Sequence, residues 1–258
     1  MTLHITLLQE ALHWENPSAN VALFTEKIAA LPTTDVIILP EMFSTGFSMN
    51  TVVLAEEAAN SPTLQWMQEQ AQLTQAVLTG SLIIKEAGHY YNRLYWVTPE
   101  GKIQYYNKKH LFTMAKEEQH YTSGNQRLIV DYKGWRIALF VCYDLRFPVW
   151  NRNAPEHYDL AIYVANWPAK RAHHWSSLLM ARAIENQAYV AAVNIVGVDG
   201  KGFEYSGDSS IIDPAGTLLA YQSQHSAVLA TTLSKEHLAK TRQQFPFLQD
   251  QDDFELLG

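Results

Sequence analysis

The chain of 258 residues holds one cysteine, Cys142, and it stands where reaction chemistry can be built. The apolar run 137–141 precedes it, the polar pair Tyr143-Asp144 follows, and Pro148 is placed to open a helix. A thiol on the turn out of a buried strand lies at the end where open α/β sheets bind their ligands. A lone cysteine is otherwise a small, inert core residue. To act as a nucleophile it needs a base and a donor for the charge that develops on the carbonyl oxygen. Glu41, directly after Ile37-Ile-Leu-Pro40, has apolar neighbours that make a carboxylate a better proton acceptor. Lys108, in Asn107-Lys-Lys-His-Leu-Phe112, offers a positive charge for an oxyanion, while Lys109 reads as solvated. By composition, Glu117 and Glu118 read as a solvated acidic pair.

Other chemistries find less support. The ten histidines are scattered, and no His-x-x-x-His or Cys-x-x-Cys spacing suggests a metal site. His110 or His174 could approach Cys142 in space, so a Cys–His hydrolase stays open. There is no G-x-S-x-G elbow and no phosphate-cradling glycine loop. A formal charge of −7, with no basic run beyond Lys108-Lys109 and Lys170-Arg171, argues against nucleic-acid binding. One cysteine excludes an internal disulfide and fits a reducing compartment. The first residues read as a strand rather than a signal peptide, and no apolar window is long enough to span a membrane. A cytoplasmic location is expected.

These residues must be positioned by alternating strands and helices. Periodicity predicts strands over residues 3–8, 36–39, 76–84, 93–97, 103–106, 159–164, 188–195, 209–212, 218–221 and 228–232. Helices are expected over 17–30 with Asn16 as cap, from Pro62, over 172–186 and over 234–242. Residues 108–126 form a long polar stretch, of a length that is often functional. Hydrophobic content of 47% with 17% charged residues suits one α/β domain with a sizeable core. The expected division is a main domain over 1–232, followed by a helix and tail over 233–258 that pack on a partner or on their own core.

Taken together, Leu39-Pro-Glu41, Lys108-Lys-His-Leu-Phe112 and Val141-Cys-Tyr-Asp-Leu-Arg-Phe-Pro148 resemble the Glu-Lys-Cys signature of the nitrilase superfamily of carbon–nitrogen hydrolases. Further matches are Asn166-Trp-Pro168, the stretch from His174 to Val190, and the stretch from Gly207 to Gly216; the resemblance covers residues 3–232. It implies a four-layer α-β-β-α sandwich, usually a homodimer, with neither metal nor organic cofactor. It implies Glu41 as base, Cys142 as nucleophile forming a thioester, and Lys108 with the backbone N–H of Tyr143 as the oxyanion hole. A second, supporting glutamate matches Glu117 by its spacing to Tyr121 and Gly124.

Within the family the sequence is most similar to bacterial omega-amidases, which act on 2-oxoglutaramate and 2-oxosuccinamate. Such a substrate carries a carboxylate, for which Arg146 is the expected partner, with Phe43 and Trp167 walling the pocket. The alternative for Arg146 is a structural ion pair with Asp144 or Asp159. Arg182 and Glu185 are expected to brace the wall. Competing functions are an N-carbamoyl amino acid hydrolase, an aliphatic amidase, a nitrilase, or a non-catalytic binding protein on the same fold.

Overall fold

The computed structural model describes residues 1–154 and 157–255. The chain opens with β1 (Thr2–Gln9), α1 (Pro17–Ala29), β2 (Val36–Ile38), α2 (Thr51–Leu54), β3 (Glu56–Glu57), α3 (Pro62–Thr74), β4 (Val77–Glu86), β5 (His89–Val97) and β6 (Ile103–Asn107). It continues through β7 (Ile129–Tyr132), β8 (Trp135–Val141), α4 (Pro148–Asn151), β9 (Leu160–Val164), α5 (Ala172–Asn186), β10 (Tyr189–Val193), β11 (Val196–Val198), β12 (Glu204–Ile212) and β13 (Leu218–Ser223). Last come β14 (Ala227–Ser234) and α6 (Lys235–Gln244).

The strands form two seven-stranded sheets. The first has the order β14-β1-β2-β4-β5-β6 with β3 on β4, and the second β11-β12-β10-β9-β8-β7 with β13 on β12. At the centre of each the strands are parallel, β1 with β2 and β4, and β8 with β9 and β10. Strands of this kind are buried on both faces, and the alternation is clean. Leu3, Ile5, Leu7, Val36, Ile38 and Trp96 join the cluster that includes the second sheet. Their neighbours Leu8, Ile37, Leu39, Tyr95 and Val97 join another, formed with Phe24 and Ile28 of α1 and Met67 and Ala71 of α3. On the second sheet, α5 supplies Trp175, Leu179 and Ala183 and α6 supplies Leu238. The result is the layer order helix, sheet, sheet, helix.

Helix starts follow local chemistry. The Asn16 side chain accepts from Ala19 N–H at 3.2 Å, and Ser61 accepts from Leu64 N–H at 3.0 Å, each just ahead of a first-turn proline. Helix α6 binds its own chain: Arg242 donates to the carbonyls of Tyr158 and Gln187, at 2.7 and 2.9 Å. The aromatic tail beyond it leaves Phe245 and Phe247 exposed, and its last three residues, 256–258, lie outside the described residues.

The stretch 108–126 is less loose than its composition suggests. It contains two 3-10 turns, Thr113–Ala115 and Glu117–Gln119, and it is tied back to the first sheet. Thr122 N–H donates to Tyr90 O at 2.7 Å, and Gly124 N–H to Lys108 O at 2.9 Å. A Cβ on Gly124 would stand 2.1 Å from the Asn107 carbonyl oxygen, so only glycine allows this approach. Three strands escaped the sequence reading, β3, β7 and β11; all are short, β7 and β11 pairing antiparallel and β3 pairing parallel with β4.

Candidate active site

Four chain segments meet just past the ends of β2, β6, β8 and β9. They deliver Glu41, Lys108, Cys142 and Asn166. Cys142 has φ of 45°, in the left-handed region that side chains other than glycine seldom adopt. The surroundings impose this turn. The buried Asp144 carboxylate accepts Val141 N–H at 3.0 Å, His110 N–H at 3.0 Å and the Tyr106 hydroxyl at 2.8 Å. Arg182 donates to Leu145 O at 2.8 Å while paired with Glu185 at 2.7 Å, which is the bracing role expected of both.

Glu41, Lys108 and Glu117 are almost wholly buried, so their charges must be satisfied by one another. Lys108 Nζ donates to Glu41 Oε1 at 3.0 Å and to both oxygens of Glu117, at 3.1 and 3.0 Å. Glu41 Oε1 also accepts Asn92 Nδ2 at 2.7 Å, and Oε2 accepts Asn166 N–H at 2.8 Å. Glu117 accepts Phe112 N–H at 2.6 Å. Of the two neighbouring glutamates, only Glu117 is buried against Lys108, while Glu118 is exposed. One ammonium thus serves two carboxylates.

The Cys142 thiol donates to Asn166 O at 4.0 Å and stands beside Glu41, whose charge acts on it. Burial and the Glu41 charge push the thiol well above its ordinary value, against the pull of Lys108. Burial works against the Lys108 charge, but Glu117, Glu41 and Cys142 outweigh it and hold the ammonium above the lysine range. Burial raises the Glu117 carboxyl, opposed by Lys108 and reinforced by Glu41. At rest the sulfur is a thiol beside a base, not a free thiolate.

Cys142 and Lys108 open on a cavity of about 230 Å³, walled by Tyr143, Phe47, Phe112 and Trp167. Arg146 lines it too, its guanidinium 4.6 Å from the centre of the Trp167 ring. It is not the structural ion pair that was the alternative. Asp144 is taken by Tyr106, His110 and Val141, and Asp159 by Arg136 N–H, Lys235 and Arg242. The β11–β12 hairpin forms the rim, where Asp199 accepts Tyr205 OH at 2.9 Å and the N–H groups of Lys201 and Phe203 at 2.8 and 2.9 Å. Its tip lies on Trp14: a Cβ on Gly200 would come within 2.2 Å of that indole.

Phe43 does not wall the pocket. Met42 takes a left-handed turn with φ of 44°, and Phe43 packs into the outer core with Phe24 and Trp66, their ring centres 5.6 and 5.7 Å away. The aromatic four residues on, Phe47, lines the cavity instead, with Lys108 Nζ 5.1 Å from its ring centre. His110 and His174 do not line it. His110 stacks on Phe147 and contacts Asp144 at 2.8 Å, and His174 accepts from Arg146 at 3.2 Å. The geometry therefore favours Glu41 over histidine as the base. Among the described residues, no group of three or more His, Cys, Asp or Glu side chains could hold a metal ion.

Asn92, Asp144 and Asn166 were missed as site residues. Asn166 lay in a motif already noted, and Asp144 adjoined the thiol turn. Asn92 sits inside a strand with no local signal.

The family model for carbon-nitrogen hydrolases matches residues 5–243. The chain is 48% identical over 255 residues to Omega-amidase YafV of Escherichia coli, covering 98% of each. It is 32% identical over 253 residues to a 2-oxoglutaramate amidase of Bacillus subtilis, covering 95% of this chain and 96% of that protein. The fold superposes with a TM-score of 0.96 on XC1258 from Xanthomonas campestris, a CN-hydrolase superfamily protein whose structure carries an arsenic adduct in the active site; the two are 42% identical over 99% of both chains. The chain belongs to the carbon-nitrogen hydrolase family.

Proposed function

We infer that the chain is an omega-amidase, hydrolysing the terminal amide of a 2-oxo dicarboxylic acid monoamide such as 2-oxoglutaramate to the 2-oxo acid and ammonia. Its similarity to Omega-amidase YafV and to a 2-oxoglutaramate amidase supports the substrate class. The observation that carries the chemistry is the gathering of the Cys142 thiol with Glu41, whose carboxylate shares the Lys108 ammonium with Glu117.

Because the thiol is held protonated, attack requires proton transfer in the same event. Glu41 takes the thiol proton as sulfur adds to the amide carbonyl carbon. The oxygen gains the negative charge and is met by Lys108 Nζ and Tyr143 N–H. Glu41 then gives its proton to the amide nitrogen, the C–N bond breaks, and ammonia leaves a thioester on Cys142. Water, deprotonated by Glu41, adds to the thioester carbonyl. Collapse expels the sulfur, which regains the proton, and frees the acid. Glu117 keeps Lys108 aimed at the oxyanion position. Arg146 receives the carboxylate at the far end of the substrate, against Trp167.

Ammonia release measured over 2-oxoglutaramate, glutamine, N-carbamoyl amino acids and simple nitriles tests this reading. The expected order puts 2-oxoglutaramate first by kcat/KM; a preference for the N-carbamoyl compounds or nitriles would overturn it.

We further propose that the protein works as a cytoplasmic homodimer. No helix among the described residues is long and apolar enough to cross a membrane. Ile184, Leu218, Leu219, Tyr221, Phe245 and Phe247 are exposed apolar side chains of the kind a second copy would cover. The partition into a domain over 1–232 and an appended 233–258 is likewise a proposal; deleting 245–258 and reading the oligomer by light scattering tests what the tail contributes.

A further inference from the structure

Besides Arg146, the cavity is lined by a second guanidinium, Arg171, at the end of the 3-10 turn Ala169–Arg171 that follows Trp167-Pro168. Trp167 ties the two together. Its ring face supports Arg146 at 4.6 Å, and its Nε1–H donates to Arg171 O at 2.8 Å. Arg171 N–H donates to Pro168 O at 3.0 Å, closing the turn, and its guanidinium lies 5.4 Å from the centre of the Phe112 ring. Both cations are thus held against aromatic walls of one cavity. A guanidinium so seated keeps N–H edges free for a planar anion.

Among the described residues neither arginine has an ion-pair partner. Arg146 spends one N–H on His174, a neutral acceptor when it receives that bond. The one carboxylate on the rim, Asp199, is occupied by Tyr205, Lys201 and Phe203 of its own hairpin. Burial and the nearby charge of Arg171 together lower the hold of Arg146 on its proton, as expected of like charges brought close. Like charges converging on one space, with no protein anion between them, gain most from an anionic ligand.

We propose that Arg171 is the second arm of a clamp, with Arg146, that closes on the substrate carboxylate remote from the scissile amide. The proposal rests on the amidase reading and deepens it: substrates must carry a free carboxylate at that end, and the corresponding esters and uncharged amides are poor. Arg171 is a specificity residue, with no part in bond making or breaking.

The test measures kcat and KM for 2-oxoglutaramate and for the uncharged amide valeramide, in the wild type, Arg171→Ala, Arg171→Lys, Arg146→Ala and the double alanine variant. Arg171→Ala should lower the ratio of kcat/KM for the carboxylated over the uncharged amide by roughly tenfold or more, mainly through KM. Arg171→Lys, which keeps the charge and loses the fork, should fall between. Because both arms hold one carboxylate, the double variant should lose less than the product of the single losses. A ratio within twofold of wild type in Arg171→Ala, a loss carried by kcat on both amides, or strictly multiplicative losses would overturn the clamp. If the wild type spares 2-oxoglutaramate but cleaves another amide that bears a carboxylate, the omega-amidase reading falls and the clamp is judged on that amide. If it cleaves only uncharged amides, the clamp falls too.

Discussion

The floor and the mouth of the cavity treat charge in opposite ways. On the floor, Glu41, Lys108 and Glu117 spend their hydrogen-bonding capacity on one another and on Asn92, Asn166 and Phe112. At the mouth, Arg146 and Arg171 rest on aromatic rings, and among the described residues neither has an ion-pair partner. A closed network is preorganised and indifferent to what lies beyond the reacting carbonyl. Unpaired cations do little for bond cleavage and much for choosing which molecule arrives. Chemistry and selection are thus separable, and substitutions on the two sides should fail differently.

The largest effect belongs to the floor. Cys142→Ala should lower kcat by about 10⁴-fold or more. Circular dichroism should show the fold intact, and retained ammonia release would sink the nucleophile. Glu41→Gln comes next, with kcat down about 10²–10⁴-fold on every amide, the range for a lost general base. Its thiol should behave in the opposite sense. Glu41 raises the Cys142 thiol and Lys108 lowers it, so removing the carboxylate favours the thiolate. Iodoacetamide at pH 7.5 should therefore alkylate the variant faster than the wild type, whose rate should still be climbing at pH 9. Slower alkylation of the variant would mean that Glu41 is not the neighbour that sets the thiol.

Arg146→Ala, at the mouth, should weaken kcat/KM for 2-oxoglutaramate by about 2–4 kcal/mol, within the cost of losing a charged partner. An unchanged value would move the carboxylate elsewhere. The smallest of the set is Glu117→Gln, which can still accept from Lys108 and Phe112. It should lower kcat about tenfold with KM little changed, since only the aim of the ammonium is disturbed. A rise confined to KM would place Glu117 with the mouth instead.

What the sequence disclosed divides along the same line. Glu41, Lys108 and Cys142 were legible because each follows a recognisable strand and belongs to a motif of several residues. Glu117 was legible only through its spacing to Tyr121 and Gly124; by composition it looked solvated, yet it is fully buried. Arg171 looked like half of an unremarkable basic pair, since nothing local reveals that Trp167 anchors its backbone over the cavity. Phe43 was misplaced because a single left-handed residue, Met42, turns the chain and exchanges which aromatic faces inward. Periodicity reports which face a residue takes within an element, and it is blind at the reversal beyond one.

The lone ammonium between two carboxylates also bears on how turnover ends. Hydrolysis converts a neutral amide into an acid, so a fresh negative charge is born beside Glu41 and Glu117, with Lys108 already engaged by both. On the proposed clamp, the substrate enters as a guest that suits this floor, and the product's new carboxylate is repelled from it while Arg146 and Arg171 still hold the other end. Departure is thereby oriented: the reacted end lets go first.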